Sequence, residues 1–162
     1  IISDGVKLEL TVRSYTDEVR AHTLAAIERI AENMGRAAGL PDDNLPRVTL
    51  LDESAPATYN NPELTKLAAH YMKAGIGQQN VKFVDPVMAA EDFSHFGRTT
   101  PKIPSMLFWL GAANPADVKR ASKDGVSLPS LHSPFFAPDA KAALKTGVKA
   151  TTATAIGLFN KN

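Results

Sequence analysis

The sequence predicts an α/β protein, and three observations carry that prediction. Residues 6–13 alternate apolar and polar side chains, the pattern of a half-buried strand. A long stretch of helix-spaced apolar residues follows it, and a continuous apolar run at 105–111 suits a strand buried on both faces. With 162 residues, 44% hydrophobic and 22% charged, the chain has a globular composition. It can form one ordinary domain or two small pieces of a larger one.

Taken in order, the elements begin with the strand Val6 to Arg13. Ser14 or Thr16 is available as a helix N-cap, with Asp17 and Glu18 in the first turn, where the helix dipole favours negative charge. Leu24, Ile27, Ile30, Ala31, Met34 and Ala38 then recur at helical spacing, and Gly39 is placed as a C-terminal stop. Residues 47–52 read as a second strand, which makes a β-α-β unit that needs further strands beside it. Asn61-Pro62 predicts a second helix start, with Asn61 as cap and Pro62 at the first helical position. Leu64, Leu67, Ala68, Tyr71 and Met72 form one face of that helix, which stops at Gly75 to Gly77. A short strand at 81–84 and a short helix within 89–97 come next. The buried strand at 105–111 is followed by a polar segment containing Gly125 and Pro129, and Asp139 to Phe159 closes the chain as a helix. The break near Asn60 divides the chain into two modules, residues 1–58 and 59–162.

The charge balance removes some classes of function. Eighteen basic against 17 acidic side chains give a formal net charge of +1, so electrostatics offers no case for nucleic acid or an anionic membrane as partner. No run of about 18 apolar residues exists to span a bilayer. The opening Ile1-Ile2-Ser3-Asp4-Gly5 has no signal-peptide pattern, and a start without Met points to a longer precursor or to processing. Zero cysteines exclude disulfides and thiolate metal sites in this segment and fit a cytoplasmic setting.

Four histidines occur. His22 and His70 fall within expected helices, where ordinary packing accounts for each; His95 follows an acidic pair, which leaves a catalytic role or the structural one more usual for a lone histidine near a helix end. His132 is different, because Leu131-His132-Ser133-Pro134-Phe135-Phe136 is a non-helical loop between two apolar elements. Such a loop can present an imidazole to a metal, or hold it on the backbone. Glu91 and Asp92 sit between small and aromatic residues, where a carboxylate pair can serve acid/base or ligand chemistry or simply start a helix. Arg13 ends the first strand, and its guanidinium can grip a carboxylate through two parallel hydrogen bonds.

In order along the chain, these segments resemble one family. Thr11-Val12-Arg13-Ser14-Tyr15 followed by Glu18-Val19-Arg20 is similar to the strand-to-helix turn in the lid of aminoacylase-type, metal-dependent amidohydrolases. That family includes hippurate hydrolases, indoleacetyl-amino-acid hydrolases and related carboxypeptidases. Tyr59-Asn60-Asn61-Pro62-Glu63-Leu64 resembles the return from lid to catalytic domain. Met88-Ala89-Ala90-Glu91-Asp92-Phe93-Ser94 resembles the family's Met-Gly-Gly-Glu-Asp-Phe segment. Phe108-Trp109-Leu110-Gly111-Ala112 and Leu131-His132-Ser133-Pro134 complete an ordered set of five.

The resemblance implies a two-domain enzyme that hydrolyses amide bonds of N-acyl amino acids or their conjugates. It implies two divalent metal ions per complete site, with zinc, manganese, nickel and cobalt left open, and a homodimer formed through the lid. Residues 1–58 would be the second half of the lid and residues 59–162 the C-terminal part of the catalytic domain. On the same basis His132 is the last metal ligand, Arg13 binds the substrate carboxylate, Glu91 supports the substrate site and Asp92 is structural. The family's His-x-Cys-Gly-His-Asp motif and its Glu-Glu pair are absent, and Leu10 stands where a glycine is common. The chain therefore reads as an inactive C-terminal fragment with weak or no metal binding of its own. The alternative is a non-catalytic dimerisation or binding module derived from the same family.

Overall fold

Helix α1 (Asp17–Ala37) starts where the sequence can cap it: the Thr16 hydroxyl accepts from the Val19 N–H at 3.2 Å, and Asp17 and Glu18 fill the first turn. It ends just before Gly39, whose φ of 77° is the left-handed conformation that suits glycine. This is a computed structural model, and it describes residues 3–52, 54–89 and 91–160. Ala90, within the Met88–Ser94 segment, lies outside them, as do Ile1 and Ile2.

Two compact units are interleaved along the chain. The first comprises residues 1–59 and 85–103, and the second residues 60–84 and 104–162. In the first unit α1 buries Gly35 against Leu45 and Pro46, where a side chain would collide with the proline ring. Most other apolar positions on α1 stay open to solvent, among them Val19, Ile30 and Met34. A seven-residue 3-10 stretch, Asp92–Arg98, occupies the region where one short helix was expected.

The second unit is built on α2 (Pro62–Ile76) packed against α4 (Ala140–Phe159). Asn61 caps α2 by accepting from the Leu64 N–H at 2.9 Å, and Pro62 takes the first helical turn, as the sequence predicts. Ala68 and Met72 of α2 and Ala150 of α4 are buried. Small residues let the two axes approach. A Cβ on Gly75 would lie 2.6 Å from the Ala153 Cβ, and one on Gly157 would enter the Tyr71 ring. Helix α3 (Pro115–Asp124) lies in the segment expected to be merely polar. Its ends carry familiar signals: an Asn114 cap, Pro115 in the first turn and Gly125 at φ 65° after the last.

The sheet half of the α/β expectation is not met among the described residues. Residues 6–13, 47–52, 81–84 and 105–111 form no ladder, and no strand is present among the described residues. The physical reason is the absence of a neighbour. Period-two patterning selects the face that a strand would bury, but a ladder needs a second backbone. Val6, Leu8 and Leu10, the apolar side of the first alternation, are 85%, 77% and 67% exposed.

Candidate functional site

His132 stands at the third position of a turn closed by the Ser133 N–H on the Ser130 carbonyl at 3.0 Å. A second turn follows directly, with Phe136 N–H on the Ser133 carbonyl at 3.0 Å and Phe135 N–H on the Ser133 hydroxyl at 3.2 Å. The φ of His132 is 69°, the only positive value outside glycine among the described residues. A turn that needs this conformation ordinarily recruits Gly or Asn, and a β-carbon there costs about 1–2 kcal/mol. The consequence is an exposed imidazole on a backbone held inside one turn and followed directly by another. Residues flanking it on either side, Leu128 and Pro129 before and Phe135 and Phe136 after, line a cleft of about 230 Å³ together with Asn114 and Asp117 of the α3 region.

In the first unit the structure brings Arg13 to the segment that leads to Glu91. The Arg13 Nη1 donates to the Met88 carbonyl at 2.8 Å, and the Tyr15 hydroxyl donates to the Pro86 carbonyl at 3.2 Å. Further along, Arg98 forms a two-pronged ion pair with Asp17 and donates to the Ala57 carbonyl at 3.3 Å. That guanidinium holds the Asp17 carboxyl below its ordinary value, chiefly through the hydrogen bond; partial desolvation opposes the effect. Glu91 caps the 3-10 stretch, its Oε1 accepting from the Phe93 N–H at 3.3 Å and its carbonyl from the Ser94 N–H at 3.2 Å. This matches the helix-start alternative weighed for the acidic pair. The Ser94 side chain is buried, with no hydrogen-bond partner for its hydroxyl among the described residues.

Pattern reading missed Tyr15, Arg98 and Asn60. Tyr15 follows the alternation of Arg13, Tyr15 and Asp17, so a period-two extension past the first strand would have flagged it. Asn60 reads in the sequence only as part of the break between the two modules. Instead, its amide nitrogen donates to the Leu107 carbonyl and its amide oxygen accepts from the Leu107 N–H, both at 2.8 Å. Asn61 adds a backbone N–H to the Ser105 carbonyl at 3.0 Å. One side chain thus supplies the pair of bonds that a neighbouring strand would make.

The donor set does not form a metal site unaided. Among the described residues no group of three or more His, Cys, Asp or Glu side chains is arranged to hold a metal ion, whereas a protein site requires about three or four ligands. His132 is one nitrogen donor.

Comparison with known proteins gives the context of these residues. The profile of peptidase family M20/M25/M40 matches residues 6–155. Thermostable carboxypeptidase 2 of Saccharolobus solfataricus is 32% identical over 161 residues, which cover 99% of this chain and 36% of that protein. The N-acetyldiaminopimelate deacetylase of Lacticaseibacillus paracasei is 30% identical over 152 residues, covering 93% of this chain and 34% of that protein. Its counterpart from Limosilactobacillus reuteri is 37% identical over 95 residues, 57% of this chain and 20% of its own. The chain thus spans about a third of the length of the relatives it matches most fully. No solved structure gives a significant match. A match over nearly the whole chain, including the His132 turn, the Arg13 turn and the Glu91 segment, establishes that the chain belongs to peptidase family M20/M25/M40, a family of metal-dependent hydrolases.

Proposed function

We propose that the chain contributes His132 as one ligand to the divalent-metal site of an amidohydrolase acting on N-acyl amino acids or similar conjugates. The remaining ligands and the general base come from outside these 162 residues, and the chain alone is inactive. Arg13 binds the substrate carboxylate, and Glu91 lies beside the substrate on the segment anchored to Arg13. Residues 1–58 act as part of a lid that mediates homodimerisation, and residues 59–162 as part of the catalytic domain, with the unladdered segments pairing as strands in the complete protein. The left-handed His132 backbone is the observation that carries this reading, since two turns hold a non-glycine residue in a conformation that costs free energy and presents its ring. The names of the relatives, a carboxypeptidase and deacetylases of an N-acetylated amino acid, support an amide substrate bearing a carboxylate.

The test uses the protein as expressed from its natural gene. His132→Ala lowers turnover of an N-acetyl amino acid by more than about 100-fold, the most that loss of an outer-shell partner costs, and lowers the bound-metal content. Near-normal turnover in that variant sinks the assignment. A second reading, a binding or dimerisation module without catalysis, draws on the exposed apolar faces and on the absence of a donor cluster among the described residues. It is favoured over the first if the natural gene encodes no further ligand-bearing segment.

A further inference from the structure

Three alternate residues at the first turn of the chain all reach into one later segment. Arg13 holds the Met88 carbonyl, Tyr15 holds the Pro86 carbonyl, and Asp17 holds Arg98. The two anchors bracket Glu91, which lies between Met88 and Arg98 along the chain. Arg13, Tyr15 and Asp17 form a row of alternate positions along the chain, across a bend at Tyr15 and Thr16 that leads into α1, and that row serves both anchors. The row runs with rising number while its targets at Met88 and Pro86 run with falling number, as in an antiparallel pair, although side chains and not backbone make the bonds.

Arg13 occupies a particular place in that row. Its guanidinium carries five N–H donors, and one of them is used on Met88 among the described residues. The residue is exposed, so a carboxylate has access to the rest of the fork. We propose that Arg13 couples ligand to loop: a substrate carboxylate captured on its fork and the ordering of the Pro86–Met88 segment that leads to Glu91 are one event, with Tyr15 as the positioning residue that presets the segment. This rests on the reading of Arg13 as the carboxylate receptor. The ligand class it selects is an amide bearing a free carboxylate, and the corresponding carboxamide gains nothing from the coupling.

The experiment combines hydrogen–deuterium exchange with binding, on the protein as expressed from its natural gene. N-acetylglycine is the probe and N-acetylglycinamide its uncharged match. N-acetylglycine slows exchange of the Val87, Met88 and Ala89 amides by about threefold or more, and the carboxamide does not. Tyr15→Phe weakens N-acetylglycine binding by about fivefold, the scale of one net hydrogen bond, and leaves carboxamide binding unchanged. Arg13→Lys keeps the charge but lacks the fork; it binds N-acetylglycine without slowing exchange in the segment. Wild-type exchange that ignores bound N-acetylglycine overturns the coupling, as does a Tyr15→Phe variant that matches wild type in both measurements. Absent or unchanged N-acetylglycine affinity across wild type, Arg13→Ala and Arg13→Lys overturns the carboxylate reading itself.

Discussion

At the residue scale His132 sets function against stability. The strain comes from the β-carbon at φ 69° and the proposed metal-ligand role from the ring, so glycine separates the two. His132→Gly keeps the turn and removes the strain; thermal unfolding should show a gain of about 1 kcal/mol less whatever extra entropy glycine adds to the unfolded chain. The same variant should lose activity as completely as His132→Ala. A histidine kept only for packing would show the reverse, a stability loss with activity intact. Asp17 gives a pH prediction with a definite sign. Its folded pKa lies below the ordinary 3.8 because Arg98 favours the charged carboxylate. The resulting stabilisation is present above about pH 4 and is lost as pH falls through 3.8 toward the folded value. The urea midpoints of wild type and Asp17→Asn should therefore differ at pH 6 and draw together as pH falls below 3.8.

At the element scale the closest packing is α2 on α4. Gly157→Ala drives a methyl group into the Tyr71 ring, and overpacking of this kind costs about 1–3 kcal/mol in chemical denaturation. Tyr71→Leu in the same background should recover part of the loss, since it removes the ring atoms that collide. Asn61→Ala deletes the α2 cap and costs about 1 kcal/mol by the same measurement. The helices were largely legible in the sequence because their signals are local. Thr16, Asn61 with Pro62, and Asp139 each cap the helix they precede. Helix α3 was equally legible in principle, because Asn114-Pro115 repeats the Asn61-Pro62 signal. Its ten residues carry few apolar positions, and because apolar periodicity is the stronger cue the stretch reads as merely polar.

At the scale of the whole molecule, what the sequence conceals is long-range. Alternation at 6–13 is real, yet it specifies only which face would be covered, and Val6, Leu8 and Leu10 remain open. The same holds for the candidate site. Residue type and motif order singled out His132, Arg13 and Glu91. The bond from Arg13 to Met88 spans 75 positions, and nothing local announces it. Large exposed apolar side chains include Phe83, Trp109 and Phe135. The chain on its own should therefore bind a hydrophobic dye such as ANS and self-associate with rising concentration, which light scattering would detect. Asn60 adds a consequence on a longer clock. Its amide stands in for a peptide group opposite Leu107, so it must keep both a donor and an acceptor. Deamidation to aspartate would replace the donor with a second acceptor and set a negative charge against the Leu107 carbonyl. Chemical ageing at that single atom would loosen the hold of the 105–107 segment on the start of α2, leaving the Asn61 N–H on the Ser105 carbonyl, without any change in the gene.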